Sequence, residues 1–119
     1  MKDLENLRIY SLAVEIGEDV WDVVTQWESF SKWTVGKQLV EAADGISSTM
    51  IEGYYRNQPG DLVKFFQYSL SSAKETHLWL WKSRRRQLID DSRYEMISEK
   101  LKNLIPQTIN FINDARKKR

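Results

Sequence analysis

Apolar positions along this chain return every three or four residues in four long stretches, the period that lines up one face of an α-helix. In the second stretch, Val35, Leu39, Ala42, Ala43, Ile46, Thr49, Met50 and Gly53 make the stripe. Ala42, Ala43, Gly45, Ser47, Ser48 and Gly53 carry little bulk, so neighbouring helices can come close to this one, and it belongs in the middle of a bundle. The first stretch places Ile9, Leu12, Ala13, Ile16, Val20, Val23, Val24 and Trp27 on its stripe and Glu15, Glu18, Asp19 and Asp22 mostly off it. Gly17 lies inside that pattern at a cost of about 1 kcal/mol relative to alanine, which predicts a bend or a close contact there. Residues 28–32 read as a short connector, with Ser31 or Thr34 placed to cap the second helix through a hydroxyl.

Pro59 and Gly60 end the second pattern, and Asp61 follows as N-cap or first-turn acid of the third helix. Its inward face is Leu62, Phe65, Phe66, Ser69, Leu70, Ala73, Thr76, His77 and Leu80, again small in the middle, which predicts that the second and third helices oppose their small faces. The fourth stretch turns Tyr94, Ile97, Leu101, Leu104, Ile105, Thr108, Ile109, Phe111 and Ile112 inward. Pro106 interrupts it, because a proline cannot donate to the Lys102 carbonyl, and predicts a kink. Strand-like alternation and internal repeats are lacking. The pattern therefore predicts an all-α chain: a single domain over residues 1–119, with helices near 4–28, 34–56, 61–86 and 91–116, folded as an antiparallel up-down-up-down four-helix bundle.

Composition changes this picture in two places. The 119 residues are 41% hydrophobic and 29% charged, ordinary for a soluble globular chain, and they include 5 Trp, 5 Tyr and 4 Phe, more rings than one small core needs. Cysteine is absent, which excludes disulfides, thiolate metal sites and a cysteine nucleophile. No stretch has the length and apolarity of a signal peptide core or a membrane span, so a cytoplasmic location is expected. The net charge of +1 hides an asymmetry: residues 1–30 hold two basic side chains against seven acidic ones, and the rest of the chain holds sixteen against ten. Such a division can orient a partner or a neighbouring subunit.

Candidate chemistry is sparse. A di-metal site in a helical bundle needs Glu-x-x-His on two helices, whereas the one histidine, His77, has Lys74 three positions before it, so neither a metal nor any other cofactor is expected. Glu52 and Glu75 are the carboxylates to weigh for acid–base work. With no nucleophile or partner base in the pattern, they and Arg56 read as structural polar residues that fix helix register, and no catalytic residue is assigned. Serines 47, 48, 69, 71 and 72 have no histidine to activate them and read as packing residues.

The surfaces are more informative. Lys82, Arg84, Arg85 and Arg86 end the third helix, where they can contact nucleic-acid phosphates with Trp79, Trp81 or Tyr94 stacking nearby, or simply complement the negative end of the helix dipole. Arg116, Lys117, Lys118 and Arg119 at the end of the chain have the same two readings. Trp21, Trp33, Tyr55 and Trp81 fall outside the core pattern and are candidates for a subunit interface, with the acidic first helix meeting a basic surface of the next copy.

Several blocks in order carry a resemblance. These are Leu7-Arg8-Ile9-Tyr10 with Ala13, Gly36-Lys37-Gln38-Leu39, Ala42-Ala43-Asp44-Gly45-Ile46-Ser47, Ile51-Glu52-Gly53-Tyr54 with Arg56, Phe65-Phe66-Gln67-Tyr68-Ser69, Ser72-Ala73-Lys74-Glu75-Thr76, and Trp79-Leu80 with Leu88-Ile89. In these blocks the chain resembles the four-helix bundle proteins of the 23S rRNA intervening-sequence family. The resemblance implies a bacterial, cytoplasmic bundle that assembles with copies of itself into a ring, a pentamer above all. A related branch, the accessory variability protein of diversity-generating retroelements, binds nucleic acid and a reverse transcriptase through a strongly basic surface. This chain departs from that branch in its near-neutral charge and acidic first helix, and it has Ser47, Thr49 and Met50 where many relatives have a proline, an asparagine and an aliphatic residue. The function expected is therefore non-enzymatic: a ring-forming bundle with basic patches as candidate contacts for structured RNA or DNA, or, alternatively, an assembly module that touches no nucleic acid. No small-molecule substrate and no membrane contact is expected.

Overall fold

Residues 4, 7–56, 58 and 60–118 are described in the computed structural model of the chain. Among them every regular element is helical: α1 (Arg8–Val24), α2 (Lys37–Tyr54), α3 (Asp61–Arg85) and α4 (Asp91–Lys117). They form a four-helix bundle of 47 × 22 × 20 Å. Its long dimension suits α4, whose 27 residues at 1.5 Å each come to about 40 Å.

Two boundaries differ from the sequence reading. The connector after α1 is itself helical: residues Ser29–Ser31 form a short turn, and Lys32–Gly36 form a widened π-helical turn that runs straight into α2. Neither Ser31 nor Thr34 caps this start. The Glu28 carboxylate does, accepting from the Phe30 amide at 3.0 Å and the Ser31 amide at 2.9 Å, while the Ser31 hydroxyl also donates to it at 2.8 Å. An anionic acceptor at the positive end of a helix outcompetes a neutral hydroxyl. These bonds, the Ser31 hydroxyl's first, hold the Glu28 carboxyl below its ordinary pKa. The Thr34 hydroxyl instead donates back to the Phe30 carbonyl at 2.7 Å.

The stripe on α1 packs inward as its period predicts, and its Gly17 makes a close contact. A Cβ at Gly17 would stand 2.9 Å from Asp44 Oδ1 on α2. Near the other end of the same helix pair, a Cβ at Gly36 would stand 2.6 Å from Val24 Cγ1. The small faces of α2 and α3 meet as expected: Gly45 lies against Ser72, the hydroxyls of Thr49 and Ser69 are 2.6 Å apart, and Gly53 lies against Phe65. Partner numbers on α3 fall as those on α2 rise.

Four buried hydroxyls in α3 and α4 find acceptors within their own helices. Ser69, Thr76, Ser83 and Thr108 donate to carbonyls four residues earlier, at 3.2, 2.7, 2.7 and 2.8 Å. Phe66 of α3 stacks on Phe111 of α4 with ring centroids 4.5 Å apart. Two residues expected inside are not: His77 and Ile109 are exposed. Thr76 and Leu80 hold the buried line of α3, and His77 is turned about 100° round the helix from Thr76. On α4 the buried line passes through Thr108 and Ile112, which leaves Ile109 on the outer edge.

Helix ends follow local chemistry. Gly60 precedes α3 with φ 91°, and Asp61 is the first-turn acid; Pro59 lies outside the described residues. Asp90 caps α4, accepting from the Arg93 amide at 2.7 Å. Pro106 is carried inside α4, which continues to Lys117. At the end of α3, the Leu88 amide donates to the Ser83 carbonyl at 2.8 Å and the Gln87 amide to Arg84 at 3.0 Å. These are the paired bonds of a Schellman ending, with Gln87 at φ 62° where glycine is usual.

Candidate functional site

The four aromatic residues singled out from the sequence are all exposed, but they do not form one patch. Trp21 and Trp33 come together with Val24, Gly36 and Val40 around a cleft of about 290 Å³ between the end of α1 and the start of α2. The π-helical turn supplies one wall: within it Val35 and Gly36 are buried while Trp33 is 69% exposed. The polar rim includes Lys37 and Glu41, which pair with each other at 2.8 Å. Phe30, 74% exposed, stands just before this turn and was not picked out from the sequence, because a lone phenylalanine in a connector carries no periodic signal. Tyr55 is at the far end of α2, edge-on to Tyr54 with centroids 5.3 Å apart. It is separated from the cleft by the 18 residues of α2, about 27 Å. Trp81 lies on α3, one turn after the exposed Leu78.

The basic run at the end of α3 divides in two. Arg84 is occupied: it lies over the Tyr94 ring at 4.6 Å and reaches Asp91 at 3.2 Å and Glu95 at 3.9 Å, fastening the end of α3 to the start of α4. The Lys82 ammonium sits over the Trp79 ring at 4.7 Å. Arg85 and Arg86 are exposed with no ion pair to a described residue. Arg116, Lys117 and Lys118 are exposed at the opposite end of α4 from Asp91, so the two basic groups are not brought together. Arg119 lies outside the described residues.

Of the three polar residues read as structural, the fold joins two. Arg56 pairs with Glu52 one turn earlier, approaches Asp61 at 3.8 Å, and covers the Phe65 ring at 4.7 Å, which ties the end of α2 to the start of α3. The hydrogen bond to Glu52 is the main reason that the Arg56 pKa is raised. Glu75, by contrast, is exposed on α3 with no hydrogen bond or ion pair to a described residue. His77 is exposed on the same helix, and among the described residues no group of three His, Asp or Glu side chains converges as a metal ligand set.

Two electrostatic features could not be located from the sequence. Lys100 of α4 bridges to Asp19 at 2.6 Å and Glu15 at 3.4 Å on α1, and the Asp19 hydrogen bond raises its pKa. Asp44, with its carboxylate edge against Gly17, has a raised pKa, first from burial and then from the nearby negative charge of Glu18. Gly17 signalled a close contact; nothing local named its partner.

No described helix is long and apolar enough to cross a membrane. The sequence profile described as the 23S rRNA-intervening sequence protein matches residues 5–115. Among solved structures, the chain is similar to a protein of unknown function from the S23 ribosomal protein family of Bacteroides thetaiotaomicron. The TM-score is 0.79 at 19% identity, covering 87% of this chain and 97% of that one. At that identity the likeness concerns the fold. No curated protein matches the chain in sequence.

Proposed function

Because the chain belongs to the 23S rRNA-intervening sequence protein family, we propose that it acts as a non-enzymatic, cytoplasmic four-helix bundle of antiparallel up-down-up-down topology that assembles with copies of itself. The assembly is a closed homo-oligomeric ring, with the pentamer as the form that the sequence resemblance implies. The topology is supported by pairings whose numbers descend along α3 as they ascend along α2. Self-association rests on one observation above all: large rings that a small bundle could bury are turned outward, with Trp21 and Trp33 walling a shared cleft. Exposed apolar surface of this kind marks association sites. Of the two carboxylates weighed for acid–base work, Glu52 is held by Arg56, and Glu75 is exposed with no hydrogen bond or ion pair to a described residue. Light scattering on the size-exclusion peak at micromolar concentration and moderate salt tests the reading. A multiple of the 14.1 kDa chain mass is expected, and a monomer would defeat it.

A second reading is favoured by Arg85 and Arg86, which remain without an acidic partner among the described residues. Repeated around an assembly, such a pair becomes a multivalent phosphate contact for structured RNA or DNA. A salt-titrated binding assay decides between this and an assembly module alone. Phosphate contact predicts affinity that falls steeply with salt and is lost in an Arg85→Ala, Arg86→Ala variant, whereas no binding at low salt leaves assembly alone.

A further inference from the structure

The ion pairs within the bundle leave opposite charges on two different helices. On α1, Lys100 takes up Glu15 and Asp19. Glu18 and Asp22 then stay exposed with no cation partner among the described residues, and Asp44 beside them has none either. On α3 the reverse holds. Arg84 is taken up by Asp91 and Glu95. Lys74, Arg85 and Arg86 then stay exposed with no carboxylate partner among the described residues.

Exposed apolar residues run through both charged strips at the same helical spacing. Val14, Glu18 and Trp21 on α1 stand at i, i+4 and i+7, with Val14 37% and Trp21 54% exposed. Lys74, Leu78, Trp81 and Arg85 on α3 stand at i, i+4, i+7 and i+11, with Leu78 46% and Trp81 49% exposed. Residues at these spacings lie on one face of a helix. One strip is thus apolar and acidic over about two turns, the other apolar and basic over about three. A strip of either kind repels its own copy, so a two-fold contact of like with like is disfavoured by charge.

We propose that the α3 strip of one copy docks on the α1 strip of another, with Leu78 and Trp81 packing on Val14 and Trp21 while Lys74 and Arg85 meet Glu18 and Asp22. The contact is heterologous: each copy offers one face of each kind, so every added copy leaves a further pair of faces open until the chain of copies closes. Bringing a cation to Glu18 also relieves the like-charge crowding that it shares with Asp44. Glu75, the acid on α3 next to the basic strip, is adjacent to Lys74 in sequence and so turned about 100° away from it. This inference rests on the self-association proposed above and adds which surfaces meet.

Two variants test it, each altered only at exposed residues. One carries Glu18→Lys and Asp22→Lys, the other Lys74→Glu and Arg85→Glu, and far-UV circular dichroism checks that both stay helical. Each alone is expected to associate at least about tenfold more weakly than the wild type. Each also keeps one working face, and after reversal the altered faces are like-charged toward their wild-type partner. Mixed, the two variants are expected to associate more strongly than either alone, as alternating open chains or even-membered rings, because the altered α1 face now suits the altered α3 face and the two unaltered faces still suit each other. A wild type that associates while both variants associate equally well overturns this pairing of surfaces and leaves self-association standing. A monomeric wild type overturns both. Loss of nucleic-acid binding in the α3 variant with assembly untouched assigns that strip to phosphate and likewise overturns the pairing.

Discussion

Phe65 rests its Cβ against the bare backbone of Gly53, where an added Cβ would stand 2.5 Å away and 3.3 Å from the Asp61 carbonyl oxygen. That contact sets how closely the end of α2 approaches the start of α3, and neither obstacle is the free end of a flexible side chain. Gly53→Ala is therefore expected to destabilise the protein by about 1–3 kcal/mol through overpacking. Gly45 provides the comparison. A Cβ there meets the Ser72 hydroxyl at 3.0 Å, a group that can rotate aside, and alanine favours the helix by about 1 kcal/mol. Urea unfolding of both variants should place Gly45→Ala well above Gly53→Ala, and the opposite order would mean that the close approach at Gly53 is not limiting.

The hydroxyls of Thr49 and Ser69, 2.6 Å apart across the same helix pair, form a polar contact in a mainly small-residue interface. Each also has a carbonyl of its own helix, Gly45 at 2.6 Å for Thr49 and Phe65 at 3.2 Å for Ser69. Thr49→Val and Ser69→Ala should each cost about 1 kcal/mol, and the double variant less than the two together, because removing one hydroxyl already removes the shared bond. Strict additivity in chemical denaturation would show the pair to be uncoupled.

Gln87 adopts φ 62° to close α3 with its two terminal hydrogen bonds. A side chain pays a steric penalty there that glycine does not, about 1–2 kcal/mol before the greater freedom of unfolded glycine is set against it. Gln87→Gly is expected to raise stability by up to about 1 kcal/mol in thermal or urea unfolding, with unchanged helix content. A lower melting temperature would contradict this account of the turn.

Asp44 predicts a pH dependence with a definite sign. Burial and Glu18 hold its folded-state pKa above the ordinary 3.8, so the folded protein keeps this proton more tightly than the unfolded chain does. Stability contributed by this group therefore falls as pH rises from below 3.8 through the raised folded-state value, and the full penalty is present at neutral pH. Asp44→Asn is expected to melt higher than the wild type at pH 7, with the gain vanishing toward pH 3. A gain that persists unchanged in acid would point to packing rather than charge.

These cases divide what could be read early from what could not. The stripes of α1 and α2, the small faces between α2 and α3, and Asp61 at the start of α3 were legible because each depends on residues within a few turns of one another. The errors were also local competitions. Glu28 displaced Ser31 and Thr34 as a cap because an anion at a helix start is the stronger acceptor, and His77 and Ile109 turned outward because one step round a helix moves a side chain by about 100°. At the candidate surfaces, the residue types were legible and their use was not. Arg84 and Arg85 are neighbours in one basic run, yet Asp91 and Glu95 engage only the first.

By itself, the sequence determined that the four long stretches are helical and, apart from positions such as His77 and Ile109, which face of each is buried, since helix period and apolar burial act over three or four residues. Only the tertiary structure decided which charges remain for a partner. Lys100 neutralises Asp19 across 81 positions of sequence, Asp44 lies on Gly17 of another helix, and Arg84 is spent on α4. Charge interactions act through space, so the surplus on α1 and α3 exists only once the helices have been packed.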